Sequence, residues 1–269
     1  MKIEIEDLRF TYPAGVEAVC GISLSIDPGE QVAIVGQNGS GKTTLVKHFN
    51  GLLQPTSGVV RVGDWDTRKV SVAKLAARVG YVFQNPDEQL FCRTVGEEVA
   101  FGPRNLGIEL HKRETLVRET LQLVGADQMQ HANPYDLSAT WRKMVALASV
   151  LAMDTDIVIL DEPTTGQDAA TVDRIAHVVS ELRKRDKTVI TITHDIDFCA
   201  ENFERVIALA RGQVLLDGPT KSVVGQEDVL AQTYVEPPQL TRLGQKLGLK
   251  QTVRNQEEFL SECEKQIAP

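Results

Sequence analysis

The 269-residue sequence predicts an α/β fold built on a sheet with parallel members. Three observations carry that prediction. Gln31-Val32-Ala33-Ile34-Val35 is a short apolar run rich in β-branched residues; it enters a glycine-rich stretch, and Lys42 to Asn50 then suits a helix. Ile157 to Leu160 is a second such run, ending in Asp161-Glu162-Pro163. Thr188 to Thr193 is a third, ending in His194-Asp195, with a helical stretch at Ala169 to Lys184 between the two. Buried strands that alternate with helices are the pattern of parallel sheets covered on both faces.

The remaining elements follow in order. Ile3, Ile5 and Leu8 alternate along a first strand, Tyr12-Pro13-Ala14-Gly15 is turn chemistry, and Ile22, Leu24 and Ile26 alternate again before the Asp27-Pro28-Gly29 turn. From Val95 to Met153 the chain reads as helical; Leu116, Leu121, Leu123 and Val124 suggest an apolar face, and Met144 to Ala152 is apolar nearly all round. Arg211-Gly212-Gln213 reads as a hairpin turn between Val206–Ala210 and Val214–Leu216. Val235-Glu236-Pro237-Pro238 breaks the chain, and Gln239–Leu247 and Gln256–Ile267 suit two small helices. No internal repeat, coiled coil or low-complexity segment is visible.

Composition excludes several classes. A formal net charge of −8, from 29 basic and 37 acidic side chains, argues against a nucleic-acid binder relying on a broad basic surface. The longest apolar stretch, Val145 to Met153, covers about half of the ~18 residues a membrane-spanning helix needs, so the chain is not expected to cross a membrane by itself. The N-terminus alternates like a strand and lacks the order of a signal peptide. Cys20, Cys92, Cys199 and Cys263 are widely separated, which encodes neither a disulfide framework nor a structural zinc site and points to a cytosolic-type protein.

The strongest chemical signal is Gly36-Gln37-Asn38-Gly39-Ser40-Gly41-Lys42-Thr43, with Thr44 next. It fits the GxxxxGK[ST] phosphate-binding pattern and lies between a buried strand and a helix start, where the chemistry requires it. Glycines let successive backbone N–H groups converge on an anion, and the helix N-terminus adds partial positive charge. Lys42 can then reach the β- and γ-phosphates and the Thr43 hydroxyl can ligate Mg²⁺. In the second signal, the strand through Leu160 delivers Asp161 and Glu162 to the sheet edge where ligands bind in open α/β folds. Asp161 suits holding Mg²⁺ through water, and Glu162 suits the general base that acts on an attacking water.

With these residues in this order the chain resembles the ATP-binding cassette (ABC) ATPases over roughly residues 3 to 220. Tyr12, in Phe10-Thr11-Tyr12, looks like the aromatic residue that stacks on adenine. Gln84, in Val82-Phe83-Gln84, looks like the glutamine that touches Mg²⁺ or the lytic water and moves with the transport partner. Thr165-Gly166-Gln167-Asp168 sits where the family has its dimer-contacting aspartate loop, and His194 resembles the switch histidine that contacts the γ-phosphate. The resemblance implies a P-loop NTPase fold of ABC ATPase type: an α/β core, an antiparallel β subdomain and a helical subdomain at about 90–150, all within 1–220, followed by a small C-terminal extension at 221–269. It implies ATP and Mg²⁺ as ligands, with catalytic roles for Glu162, His194 and Gln84, metal contacts from Thr43, Gln84 and Asp161, and nucleotide contacts from Tyr12 and residues 36–44.

Phe83-Gln84-Asn85-Pro86-Asp87-Glu88-Gln89-Leu90-Phe91 and Val95-Gly96-Glu97-Glu98-Val99-Ala100-Phe101-Gly102-Pro103 are similar, more narrowly, to the ATPases of energy-coupling-factor (ECF) transporters, importers of vitamins and of cobalt or nickel. That similarity implies docking of a membrane coupling subunit on this region, a separate substrate-binding membrane subunit, a place at the cytoplasmic face of the cell membrane, and no nucleic-acid partner. Charge reversal at Asp87 or Glu88, or bulky substitution at Gly102, is expected to uncouple transport while sparing nucleotide binding. The tail after about residue 220 looks like the extension that helps hold two such ATPases together.

The sequence departs from the family at one motif. LSGGQ is expected, and Leu137-Ser138-Ala139-Thr140-Trp141 stands there. In the family this segment closes over the nucleotide of the other subunit; Ser138 can still bond phosphate, while Ala139 and Thr140 add side chains and Trp141 a bulky ring. A homodimer would carry two poor sites, so a heterodimer with a second ABC ATPase subunit is expected. Two rivals exist: a soluble ABC-type ATPase not coupled to transport, which would normally join two cassettes or insert a coiled coil, and a small P-loop kinase, which has no use for Gln84, Asp161-Glu162 and His194 in this order.

Overall fold

The computed structural model describes residues 1–267. It opens with β1 (Ile3–Thr11), β2 (Glu17–Ile26), β3 (Gln31–Val35) and α1 (Lys42–Lys47), then β4 (Ser57–Val62), β5 (Trp65–Asp66), α2 (Val72–Leu75) and β6 (Val79–Val82). Three helices follow, α3 (Val95–Asn105), α4 (Leu110–Val124) and α5 (Ala139–Leu151). The chain then alternates through β7 (Ile157–Asp161), α6 (Ala169–Lys184), β8 (Thr188–Thr193), α7 (Ile196–Asn202), β9 (Arg205–Ala210) and β10 (Gln213–Pro219). It ends in α8 (Thr220–Val224), α9 (Glu227–Leu230), α10 (Gln239–Lys246) and α11 (Gln256–Ile267).

Two sheets result. One is antiparallel, in the order β2-β1-β4-β5. The other runs β10-β9-β3-β8-β7-β6; β9 to β6 are parallel and only β10 is antiparallel to its neighbour. Its five parallel strands are buried on both faces, and the two-residue period of a strand divides their side chains between two cores. Val32, Ile34, Ile159, Ile190, Ile192 and Leu209 pack with the antiparallel sheet and α1. Ala33, Val35, Val158, Leu160, Val189 and Ala208 pack beneath the helical layer, with Val99 of α3, Leu121 of α4, Leu147 of α5 and Val178 of α6. This explains why those strands read as continuous apolar runs.

Two local features differ from the sequence reading. The first strand does not alternate cleanly: Ile5 pairs with Leu24 and Leu8 with Ile22, so three steps on β1 meet two on β2. The extra residue is a β-bulge, with Asp7 at a positive φ of 43°, and it keeps Leu8 on the buried face. The first helix stops at Lys47, short of Asn50, because the His48 and Phe49 amides already turn to three-residue bonds with Leu45 and Val46.

Candidate active site

The parallel sheet places β3, β8, β7 and β6 side by side, so four neighbouring strands release the loops that carry the chemistry at one edge. Residues 36–43 leave β3, His194 leaves β8, Asp161-Glu162 end β7, and Gln84 follows β6. A cavity of about 130 Å³ there is lined by Asn38, Gly39, Gly41, Lys42, Thr43, Thr44, Gln84 and Glu162. A whole small-molecule ligand usually fills about 300–1,000 Å³, so this space suits the phosphate end of a nucleotide.

The loop is wound tightly over its neighbours. Gly41 stands at φ 104°, and a side-chain carbon there would lie 2.4 Å from the Ala18 carbonyl oxygen, so glycine is required on both counts. Lys42 is buried, and its Nζ donates to the carbonyls of Gly36 (2.6 Å) and Gln37 (3.0 Å). Burial pushes the Lys42 ammonium below its ordinary pKa, against the pull of Glu162 and Asp161. The Ser40 hydroxyl is buried without a partner among the described residues. Gln37 donates its amide to the carbonyl of Thr233, a bond from the C-terminal extension to the phosphate loop that no local pattern announced.

The two carboxylates are held differently. Asp161 accepts from the Tyr81 hydroxyl at 2.6 Å on Oδ2 and from the Thr43 hydroxyl at 3.5 Å on Oδ1. Burial raises its pKa, and the bonds from Tyr81 and Thr43 oppose that shift. Glu162 has three donors on one oxygen: Thr165 Oγ1 at 3.0 Å, Thr193 Oγ1 at 3.2 Å and His194 Nδ1 at 2.9 Å, all to Oε2. Oε1 has no hydrogen-bond partner among the described residues, and Glu162 lines the cavity. Its backbone sits at φ 48°, a left-handed conformation that is rare for a residue other than glycine. Its N–H donates to Ile192, and its carbonyl accepts from the buried Lys143 of α5.

Tyr12 stands 38% exposed beside the loop, with its hydroxyl 3.0 Å from Thr44 Oγ1 and its ring edge-on to Phe10. Asp168 caps α6 by accepting from the Thr171 amide. Ser138 caps α5, and Ser138, Ala139 and Thr140 are not among the residues lining this chain's own cavity. Trp141 packs its ring against the helical core, with the Arg174 guanidinium 5.6 Å from the ring centre. In the 84–103 region Phe91 is 59% exposed and edge-on to Phe101. The turn under it is fixed by buried Glu98, whose Oε2 accepts from the amides of Phe91 and Cys92. Gly102 corrects the expectation above: a side chain there would meet Met153 at 2.5 Å, so bulky substitution tests internal packing and not docking. Tyr81, Lys143 and Thr233 are site residues that sequence reasoning missed, and it did not foresee the bonds of Thr165 and Thr193 to Glu162.

The family profile described as ABC transporter matches residues 19–165. The chain belongs to the ABC transporter family. It is an ATP-binding subunit with ATPase activity coupled to transport. Similar proteins include a putative ABC transporter ATP-binding protein of Geobacter sulfurreducens, 43% identical over 88% of this chain and 94% of its own length. Another is the energy-coupling factor transporter ATP-binding protein EcfA of Methanothermobacter thermautotrophicus, 39% identical over 92% of this chain and 80% of its own. Among solved structures, cbiO1 from Clostridium perfringens, part of the ABC transporter complex cbiONQ, superimposes with a TM-score of 0.76 at 34% identity, over 91% of this ABC ATPase and 98% of cbiO1.

Proposed function

We propose that this ABC ATPase powers an ECF-type importer, coupling ATP binding and hydrolysis to uptake of a vitamin or transition-metal ion through separate membrane subunits. The similarity to EcfA and to cbiO1 supports the ECF reading. Among the described residues no helix is long and apolar enough to cross a membrane, so the subunit would act peripherally, at the cytoplasmic face, docked on a membrane coupling subunit with a substrate-binding subunit beside it. The exposed Phe91 ring, edge-on to the half-buried Phe101 over the Glu98-pinned turn, suits that docking.

The observation that carries the catalytic reading is the Glu162 carboxylate. With Oε2 occupied by Thr165, Thr193 and His194 in a residue that lines the cavity, Oε1 is the oxygen free to accept a water proton. The loop amides and Lys42 hold the phosphates, and Tyr12 offers a ring face to the base. The Thr43 hydroxyl, the Asp161 carboxylate and the Gln84 amide are hard oxygen donors at the same edge, which fits Mg²⁺. Among the described residues no cluster of three His, Cys, Asp or Glu side chains could hold a metal alone, in keeping with an ion that arrives with its nucleotide. When bound, Mg²⁺ neutralises charge on the β- and γ-phosphates. A second ABC ATPase closes over the nucleotide, and the altered 137–141 segment favours an unequal pair.

Uptake by the full set of subunits in proteoliposomes tests this reading. Phe91→Glu is expected to cut ATP-driven uptake at least several-fold while ATP binding stays intact. Full ATPase activity with no membrane subunit retained would favour the soluble-ATPase alternative.

A further inference from the structure

α5 is fastened on two sides by neighbouring residues. Arg142 pairs with Asp87 at 3.2 Å, and one turn on, Gln89 Nε2 donates to the Ala146 carbonyl (2.7 Å) and Ser149 Oγ (2.9 Å) while its Oε1 accepts from the Phe83 amide. These bonds tie α5 to the segment that carries Gln84. On the other side, Lys143 Nζ donates to the Glu162 carbonyl at 2.6 Å and to the Thr165 carbonyl at 3.2 Å. The lysine is 6% exposed and has no carboxylate within ion-pairing distance among the described residues. A buried ammonium is costlier than an apolar side chain of the same length, and here its charge is spent on two backbone carbonyls. Those carbonyls bracket the loop in which Glu162 holds its left-handed backbone and Thr165 bonds the Glu162 carboxylate.

We propose that Lys143 is a positioning residue for hydrolysis: it fixes the 162–165 loop to α5, so that the aim of the Glu162 carboxylate depends on where α5 sits. The inference rests on the reading of Glu162 as the general base. Its consequence is communication within one chain. α5 is capped by Ser138, in the segment that closes on the partner ATPase, and is bonded to the 83–89 segment below the docking face. A shift of α5 driven from either side is delivered through Lys143 to the backbone of Glu162 and Thr165, and the Thr165 bond to Oε2 carries it to the carboxylate, which Thr193 and His194 hold from β8 and the residue after it.

The test uses the assembled subunits and four variants: Lys143→Met, Lys143→Arg, Glu162→Gln, and Lys143→Met combined with Glu162→Gln. Lys143→Met keeps an unbranched stem as far as Cε and removes the donors; it is expected to lower kcat about tenfold with KM for ATP within twofold. Lys143→Arg, which can donate to both carbonyls, is expected to recover most of the rate. The double variant is expected to be no slower than Glu162→Gln, because Lys143 acts through that carboxylate. A Lys143→Met enzyme with wild-type kcat overturns the positioning role alone. So does a joint loss of kcat and ATP affinity that arginine does not rescue, which marks general loosening. A Glu162→Gln enzyme that keeps its turnover overturns the base assignment, and the proposal with it.

Discussion

Glu162→Gln changes one atom and separates the base from the architecture that holds it. The glutamine oxygen can take the place of Oε2, where Thr165, Thr193 and His194 donate, and that orientation keeps all three bonds. The NH₂ group then occupies the position of Oε1 and faces the cavity as a donor that takes no proton from water. The reverse flip sets an NH₂ against a ring N–H and is unfavourable. The folded state therefore exchanges charge-assisted bonds for neutral ones, a loss of about 1 kcal/mol, or roughly 2–4 °C in Tm for a domain of this size. Turnover loses the whole general-base contribution, about 10²–10⁴-fold, equivalent to ~3–5 kcal/mol of barrier. Affinity for Mg-ATP should stay within a few-fold, because Lys42, Thr43 and the loop amides are untouched. Phosphate release by the assembled subunits, nucleotide binding and a melting curve read the three effects separately. Turnover within threefold of wild type, or loss of nucleotide affinity in step with turnover, would refute the reasoning.

Two further outcomes follow from the structure. Ala139→Gly with Thr140→Gly should speed only the site where this signature closes on the partner's nucleotide, seen as a rise in the rate left after Glu162→Gln; robust ATPase activity from a homodimer of the purified chain would contradict the unequal pair. His48 is fully buried with Nδ1 2.7 Å from the Thr44 carbonyl, and burial holds its pKa below the usual 6.5. The unfolded chain takes up a proton that the folded one refuses, so stability falls as pH drops through about 6.5, by up to ~1.4 kcal/mol per pH unit. Urea midpoints at pH 7.5 and 5.5 should show that slope reduced in His48→Gln; equal slopes would exclude His48 as its source.

How much of this was legible in the sequence depends on how far apart the partners lie along the chain. The phosphate loop and the Asp161-Glu162 pair are local patterns flanked by their own strand and helix, and the structure puts them where their spacing implied. Strands of four to six residues broken by glycine, such as Val79–Val82 and Ser57–Val62, carry too little pattern to stand out. Tyr81 is invisible as an Asp161 partner, because 80 residues and a strand pairing separate them. Thr193 and Lys143 meet Glu162 only because β8 lies beside β7 and α5 packs against β6 on its other side, and Thr233 reaches Gln37 only through the tail.

The signature segment shows the opposite failure, in which the letters overstate the change. Read as a string, Ala139-Thr140-Trp141 puts three intrusions at the face where a partner's phosphate would lie. In the fold the largest of them turns away: the Trp141 ring is packed against the helical core beside Arg174, and Ser138 still caps the helix by accepting from the Trp141 amide. What separates this helix start from a glycine-lined one is therefore a methyl group at 139, exposed, and a threonine at 140, partly exposed. Close approach of a phosphate to the first amides of a helix is sensitive to substituents of that size, since glycine is the residue that admits it. The proposed unequal pair thus rests on residues 139 and 140, and Trp141 packs against the helical layer. For that reason the restoring variant leaves Trp141 in place, because removing it would unpack Arg174 and confuse a loss of stability with a change at the site.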